Sequence, residues 1–286
     1  MEQLQKLQDL ITEHKIPIGQ WSKAIIEWLT ANFEWLFDAI SSVLKTLIDG
    51  SSDLLLLVPP LVLLVIIAAL AHLIQRNWKI TLFVAVGLLF ILNLGLWGAM
   101  VETLVLVVYA TLVSLAIGVP IGILAARRPA VWHAIAPVLD MMQTLPTFVY
   151  LVPMLALFGL GTVPGMFATV IFAVAAPIRL TYLGISQVPV ALIEAGESFG
   201  STRWQLLFKV KLPAALPTIM AGITQCIMLS LSMVVIASMV GAGGLGAPTV
   251  RALATNNIPL GTEAGLAIVI LAIALDRVMK QRSVRK

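Results

Sequence analysis

The residues that first suggest chemistry in this chain are the glycines of Gly241-Ala-Gly-Gly-Leu-Gly246. They satisfy the pattern G-x-G-x-x-G, whose glycines let a backbone approach a dinucleotide pyrophosphate, and Glu263 follows about twenty residues later. A dinucleotide site needs a strand before the glycines and an amphipathic helix after them. Here a 27-residue apolar run, 214–240, precedes them and a short polar loop follows. The pattern therefore predicts a flexible loop rather than a nucleotide site.

No other group of residues has the spacing that catalysis or metal binding needs. His14, His72 and His133 are scattered, with no second ligand at metal spacing. The single cysteine, Cys226, excludes a disulfide within the chain. No G-x-x-x-x-G-K-[ST] sequence occurs, so ATP hydrolysis by this chain is not expected. We therefore predict no catalytic residue, no metal ligand and no cofactor bound by this chain.

Two sets of polar residues recur at helical spacing inside apolar runs. The first polar set comprises Asp140, Gln143, Thr147 and Tyr150. The second polar set comprises Thr218, Gly222, Gln225 and Ser232. Each set is spaced to share one helix face, and polar groups in a membrane face a cavity or a bundle interior. The residues predicted to line a substrate pathway are Gln143, Thr147, Tyr150, Gln225 and Ser232. Hydrogen bonding between neighbouring helices is the alternative role.

These polar residues lie in apolar segments that are predicted to be membrane-spanning helices. Hydrophobic residues make up 60% of the chain and charged residues 11%, and the mean hydropathy is +1.02. Apolar runs of about twenty residues are long enough for helices to cross a bilayer. Seven spans are predicted, at 54–74, 80–98, 101–125, 135–158, 164–184, 214–240 and 262–280. The predicted fold is all-α and polytopic. The sequence Gly118-Val-Pro-Ile-Gly122 in the third span predicts close helix packing.

The longest polar interruption, residues 189–212, is composed for two short helices. Pro189 suits a helix start, and Gly200 can adopt the positive φ that ends a helix. Thr202 and Gln205 fit a capping box for a second helix. A helix–turn–helix on one face of the membrane is therefore predicted.

The spacing in this loop also resembles a known motif. Glu194-Ala-Gly-Glu-Ser-Phe-Gly200, followed after nine residues by Val210-Lys-Leu212-Pro213, is similar to E-A-A-x3-G-x9-I-x-L-P. That motif marks the cytoplasmic coupling loop of permease subunits of ABC importers. Gly196 stands in place of the second alanine of the motif, and Val210 in place of isoleucine. The resemblance implies that an ATPase binds at Glu194, Ala195, Gly196, Gly200, Leu212 and Pro213.

Further segments resemble the permeases for glycine betaine, proline betaine and choline. They are Asp140-Met-Met-Gln-Thr-Leu-Pro146, Tyr150-Leu-Val-Pro153, the Gly241–Gly246 glycines and Leu275-Asp-Arg277. The resemblance implies a type I importer permease core resembling that of the methionine importer. It also implies uptake of a quaternary-ammonium solute, a second copy of the permease, cytoplasmic ATPases that bind ATP and magnesium, and an extracytoplasmic binding protein or fused binding domain.

Charge predicts the orientation of the chain in a bacterial cell membrane. Residues 1–53 contain eight acidic residues and four lysines, whereas 54–286 contain fourteen Lys and Arg and six acidic residues. No basic run is interleaved with aromatic residues, so nucleic-acid binding is not expected. Basic residues cluster after the first and third spans, between the fifth and sixth spans, and at the C-terminus. The positive-inside rule therefore predicts a cytoplasmic coupling loop and C-terminus, and an N-terminal tail outside.

The domain organisation follows from the same patterns. Four parts are predicted: an extracytoplasmic tail at 1–53, two accessory spans at 54–98, a permease core at 99–280 and a basic cytoplasmic end at 281–286. From Ile18 to Ile48, apolar residues recur at helical spacing. This pattern predicts an amphipathic helix, which either lies in the outer membrane interface or packs against the edge of the permease.

Three functions are consistent with a polytopic chain. The first is a permease driven by a separate ATPase, for a quaternary-ammonium solute or for another small solute such as methionine. The second is an ion-coupled secondary transporter, which would favour an internal repeat and a buried coupling charge. The third is an intramembrane enzyme, for which the catalytic residues are missing. The coupling-loop motif favours the first.

Overall fold

Within a membrane the backbone amides must find hydrogen-bond partners inside the protein, as they do in a helix. The computed structural model describes residues 17–280, and this part of the chain folds into helices without strands. The helices are α1 (Ile18–Leu57), α2 (Pro60–Gln75), α3 (Trp78–Asn93), α4 (Trp97–Arg127), α5 (Pro129–Thr144), α6 (Leu151–Phe158), α7 (Thr162–Ala173), α8 (Ala175–Ser186), α9 (Val190–Ser198), α10 (Arg203–Gln205), α11 (Leu212–Ser238), α12 (Gly246–Ala254) and α13 (Ile258–Met279). A 3₁₀ helix at Thr147–Tyr150 precedes α6, and a π-helical segment at Leu206–Lys211 precedes α11. The predicted all-α fold is confirmed.

Four of the seven predicted spans are single helical segments long and apolar enough to cross a membrane. They are Trp97–Arg127, Thr162–Ser186, Arg203–Ser238 and Ile258–Met279. Helix α3 is apolar but has only 16 residues. The predicted second span, 80–98, extends too far, because Trp97 and Gly98 already belong to α4.

The predicted first span, 54–74, is wrong as a single helix. Residues 54–57 complete α1, and α2 leaves in a direction 107° away. Val58 is extended before Pro59, as a residue preceding proline prefers to be. Pro60 lies in the first turn of α2, where its missing N–H is not needed. One apolar run is therefore shared between two helices of different direction.

The predicted fourth span, 135–158, is also broken. Helix α5 ends at Thr144, and the segment that follows it is bent by 110°. Leu145 is extended, with φ −67° and ψ 137°, because Pro146 disfavours a helical residue before it. Pro153 lies in the first turn of α6, where proline is tolerated. Pro146 therefore sets the break in this span.

Helix α8 packs against α4 through the predicted G-x-x-x-G pair. A Cβ atom at Gly118 would lie 2.8 Å from Cγ of Pro177, and one at Gly122 would lie 2.6 Å from Cβ of Thr181. No larger residue fits while the two helices keep this separation. The packing role predicted for Gly118 and Gly122 is confirmed.

A neighbouring side of α8 packs closely against α11. A Cβ atom at Gly184 would lie 3.0 Å from Cβ of Thr218, and one at Gly222 would lie 3.0 Å from Cβ of Leu180. Glycines thus bring α8 close to both of its neighbours. Helices α4, α8 and α11 form a tightly packed group at the centre of the fold.

Helix α1 combines features of both environments predicted for the tail. Its first half, up to a kink at Phe33, exposes large apolar side chains. These residues, with Trp35 just beyond the kink, are between 58% and 69% exposed, and they are Ile18, Trp21, Ile25, Trp28 and Trp35. Its second half packs on the helices that follow, where Ile48 and Ser52 are buried and Phe37 contacts Phe158 edge to face.

Candidate coupling surface and translocation path

The predicted helix–turn–helix is present between α8 and α11. Helix α9 begins after Pro189, and Gly200 ends the turn with φ +73°. Thr202 Oγ1 accepts a hydrogen bond from the Gln205 amide at 3.3 Å, and Gln205 Oε1 accepts one from the Thr202 amide at 2.8 Å. The positive φ and the capping box predicted from the sequence are both confirmed.

Gly196 allows α9 to pack closely against the π-helical segment Leu206–Lys211. A Cβ atom at this position would lie 2.8 Å from Cδ1 of Leu206 and 3.3 Å from Cγ2 of Val210. The glycine that replaces the usual alanine therefore brings α9 closer to the π-helical segment. Glu194 and Ala195 are exposed, so this packing leaves their side of α9 uncovered.

Exposed aromatic residues extend the uncovered surface. Phe199 is 91% exposed, and Trp204 and Phe208 stack on one another while each remains 58% exposed. The guanidinium of Arg127, the last residue of α4, lies 4.5 Å from the centre of the Trp204 ring. We call Glu194, Ala195, Phe199, Trp204 and Phe208 the coupling surface. The contact between Arg127 and Trp204 connects this surface to the central helix α4.

Two further predicted coupling residues lie where the loop joins α11. Leu212 is half-buried and packs with a cluster that includes Ile185, near the end of α8, and Val188, just after that helix. Pro213 is exposed in the first turn of α11. Leu212 thus ties the end of the loop to its beginning. Other turns at this end of the described chain are short, with Arg76–Asn77 between α2 and α3 and Arg128 between α4 and α5.

The first polar set does not share one helix face, because the break at Pro146 separates Gln143 from Thr147. Gln143 is exposed on α5, and its Nε2 donates to the Phe172 carbonyl at 3.3 Å. Thr147 opens the 3₁₀ helix and is half-buried. Tyr150 is buried, and its hydroxyl donates to the Met142 carbonyl across the break. Tyr150 therefore fixes the geometry of the bend.

The second polar set lies on the unbroken helix α11, as predicted. Gly222 packs against Leu180, whereas Gln225 and Ser232 are exposed. Ser232 donates to the Met228 carbonyl at 3.1 Å. An amide in a span is costly to expose to lipid. The Gln225 side of α11 is therefore suited to face water or another protein chain.

Arg179 was not singled out by the sequence analysis. It lies on α8, and its Nη2 is 2.6 Å from Oδ1 of Asp140 on α5. A single arginine within the run 164–184 is the signal that could have identified it, because ionisable residues in spans mark functional sites. The contact between Arg179 and Asp140 could not be predicted from the sequence, since 39 residues separate them.

The Gly241–Gly246 loop is anchored rather than flexible. Glu102 Oε2 accepts from the Gly244 amide at 2.6 Å, and Thr103 Oγ1 accepts from the Leu245 amide at 2.8 Å. Gly244 has φ +79°, which a side chain would disfavour. The loop lies at the start of α4, the end of that helix opposite Arg127. Beside it is a cavity of about 330 Å³ whose lining includes Asp49, Asp53 and Glu102.

Residues 118–280 match the protein family described as the binding-protein-dependent transport system inner membrane component. They include α8, α11, the coupling surface and both polar sets. The chain belongs to this family. It is the permease subunit of an importer and a multi-pass protein of the inner membrane.

Individual relatives extend the likeness to α1–α3. The permease is 47% identical to the glycine betaine transport system permease protein OpuAB of Bacillus subtilis, over 95% of this chain and 96% of that protein. It is 45% identical to the glycine betaine/proline betaine permease protein ProW of Escherichia coli, over 92% of this chain and 74% of that one. The predicted resemblance to betaine permeases is confirmed.

A solved structure shows the same fold. Inward-facing MetNI, a methionine ABC transporter, matches 62% of this chain and 91% of its own with a TM-score of 0.56 and 23% identity. The predicted likeness to the methionine permease is thus confirmed for the fold.

Proposed function

We propose that this permease imports a quaternary-ammonium compatible solute, with glycine betaine as the first candidate and proline betaine and choline as further ones. The observation that carries the proposal is the 47% identity to the Bacillus subtilis glycine betaine permease along almost the whole of both chains. The proposal rests on this full-length likeness and does not depend on any single substrate-binding residue. The likeness to the methionine transporter, at 23% identity, supports the fold but not methionine as a substrate.

We further propose that a separate cytoplasmic ATPase binds ATP and magnesium and drives the permease through the coupling surface. The exposed side of α9 offers Glu194 to a basic partner and Ala195 to a closely approaching backbone. Exposed Phe199, Trp204 and Phe208 supply apolar area that a partner can cover. The connection from Trp204 to Arg127 supports transmission of ATPase movement into α4.

The proposed assembly contains two permeases, two ATPases and a binding protein or fused binding domain that delivers the solute. Basic residues of the described chain gather at the end that carries the coupling surface, and Arg127 contacts that surface directly. This supports a cytoplasmic position for the loop and an extracytoplasmic one for α1. Gln143, Gln225 and Ser232, all exposed in a single copy, are proposed to line the path between the two permeases. Thr147 and Tyr150 are proposed to shape that path by holding the bend after α5.

The test is uptake of labelled glycine betaine into proteoliposomes that contain the permease, its ATPase and its binding protein. ATP inside the vesicles should drive uptake, and unlabelled proline betaine or choline should compete if they share the route. An excess of unlabelled methionine serves as the control and should leave uptake unchanged. Uptake that needs an ion gradient but no ATP would contradict the proposal and favour a secondary transporter.

A further inference from the structure

The ion pair between Asp140 and Arg179 joins two helices of the permease core at an exposed position. The Asp140 side chain is 67% exposed and the Arg179 side chain 37%. The Nε atom of Arg179 is buried and has no hydrogen-bond partner among residues 17–280. Within that part of the chain the one other ion pair joins Lys23 to Glu27 on α1. Both charged groups of the Asp140–Arg179 pair are therefore accessible in part, Asp140 more than Arg179.

Both residues of the pair lie well inside their helices rather than at a helix end. Arg179 lies seven residues before the end of α8 at Ser186, about 10 Å from that end at 1.5 Å per residue. Asp140 lies eleven residues after the start of α5 at Pro129, about 16 Å along that helix. Exposed ionised side chains in a membrane-spanning segment are costly in hydrocarbon and face water or protein. The accessible side of the pair is therefore suited to a water-filled path.

The pair is chemically complementary to a zwitterion. A betaine has a permanently charged quaternary ammonium group, which cannot donate a hydrogen bond, and a carboxylate, which accepts them. A guanidinium binds a carboxylate through several N–H groups in a fixed plane. A carboxylate or an aromatic face stabilises the quaternary ammonium. Tyr182, three residues after Arg179 on α8, stacks on Trp132 of α5 with ring centres 3.7 Å apart. Both charged groups of a betaine, the carboxylate and the quaternary ammonium, thus have a counterpart on α5 and α8.

We propose that Asp140 and Arg179 form a transient binding site for the zwitterionic solute on the translocation path, an inference that rests on the proposed function. Arg179 binds the carboxylate of the solute, and Asp140 faces its quaternary ammonium group. Gln143, one turn beyond Asp140 and also exposed, extends this polar side of α5. Without solute the two residues neutralise one another. The solute must replace that contact to bind, so it is held weakly and released readily.

The experiment uses the complete importer in proteoliposomes, with glycine betaine saturating the binding protein. Arg179→Gln and Asp140→Asn each remove one charge and keep a similar shape. We expect about a tenfold lower uptake per assembled complex, the scale of one lost hydrogen bond to a charged group. ATP turnover should fall less, so that fewer solute molecules are imported per ATP hydrolysed. Arg179→Lys, which keeps the charge, should recover part of the uptake. Arg277→Gln, an exposed arginine near the end of α13, is the matched control and should behave as wild type.

A purely structural role for the pair predicts a different result. If the Asp140–Arg179 ion pair only holds α5 against α8, or faces the second permease, both variants will lower the amount of assembled complex and its melting temperature. Uptake per assembled complex would then stay at the wild-type level, and this would overturn the inference. Wild-type uptake in both variants would overturn it as well. If the wild-type importer itself takes up no glycine betaine, the proposed substrate is wrong, which is a separate outcome.

Discussion

At the scale of single residues, a substitution at Gly200 can test the proposed ATPase contact while leaving the fold of the permease intact. Its φ of +73° would strain any residue with a Cβ by about 1–2 kcal/mol. Apart from the two neighbouring residues, no atom of residues 17–280 lies within 4 Å of a Cβ placed there, so a large side chain would project outward. We expect Gly200→Trp to abolish transport and weaken ATPase binding while the permease inserts normally. Pull-down of the ATPase with the tagged permease measures this.

Gly200→Ala is the control for that variant, because it adds the backbone strain without the bulk. It should retain most of the ATPase binding. If Gly200→Trp pulls down the ATPase and transports as well as wild type, this loop is not the coupling surface.

The charge of Glu194 gives a second prediction at this scale. Glu194 is exposed on the free side of α9, and no ion pair involves it among residues 17–280. Glu194→Lys should reverse a contact charge and uncouple ATP hydrolysis from uptake. Substrate-stimulated ATP turnover, measured beside uptake in proteoliposomes, should show hydrolysis without transport. Glu197→Lys, on the same helix, is the comparison and should have a smaller effect. If both variants import as much solute per ATP hydrolysed as wild type does, Glu194 is not part of the ATPase interface.

The exposed amides give a third prediction. Gln143→Leu or Gln225→Leu should lower transport, because a lining amide eases passage of a partly dehydrated solute. Complex assembly should remain intact, since both side chains are exposed in a single copy. Met228→Leu, one turn from Gln225 on the same side of α11, is the apolar control. Assembled complex is quantified together with uptake, and a loss of assembly in the Gln variants would favour a packing role instead.

At the scale of elements, the contact between α4 and α8 depends on Gly122. A leucine there would meet Thr181 and the Ile178 carbonyl, and overpacking of this kind costs about 1–3 kcal/mol. We expect Gly122→Leu to lower the melting temperature of the purified permease and to reduce uptake with it. Gly98→Ala tests a glycine of the same helix with open space around it, and it should leave the melting temperature unchanged. An unchanged melting temperature in Gly122→Leu would show that the two helices separate easily.

Features set by local sequence could be predicted at this scale. The turn at Gly200, the capping box of Thr202 and Gln205, and the Gly118–Gly122 contact each depend on residues a few positions apart. Hydropathy also identified the four single spans, because hydrocarbon thickness fixes their length.

Features that depend on the direction of a helix, or on contacts between distant residues, could not be predicted from the sequence. Apolar residues on both sides of Pro59 and Pro146 read as continuous spans, and composition does not show whether a proline kinks a helix or ends it. The contact of Arg179 with Asp140 and that of Glu102 with the Gly244 amide join segments far apart in the chain. No spacing rule predicts such pairs.

At the scale of the whole molecule, the orientation in the membrane can be tested directly. A cysteine placed at Asn32 on α1 should react with a membrane-impermeant maleimide added to intact cells, and one at Arg128 should not. The native Cys226 is buried and provides an unreactive background. Permeabilised cells serve as the control, in which both positions should react. The opposite pattern would contradict a cytoplasmic coupling loop.

The central packing of α8 also determines how far movement at the loop can be passed on. Helix α8 leads into the loop and α11 leaves it, and the two are held together through Gly184 and Gly222. Both arms of the loop therefore belong to one closely packed unit. A push on the loop should displace α8 and α11 together, and Arg179 on α8 and Gln225 on α11 should move with them. Movement at the loop would then reach the polar side chains of both helices at the same time.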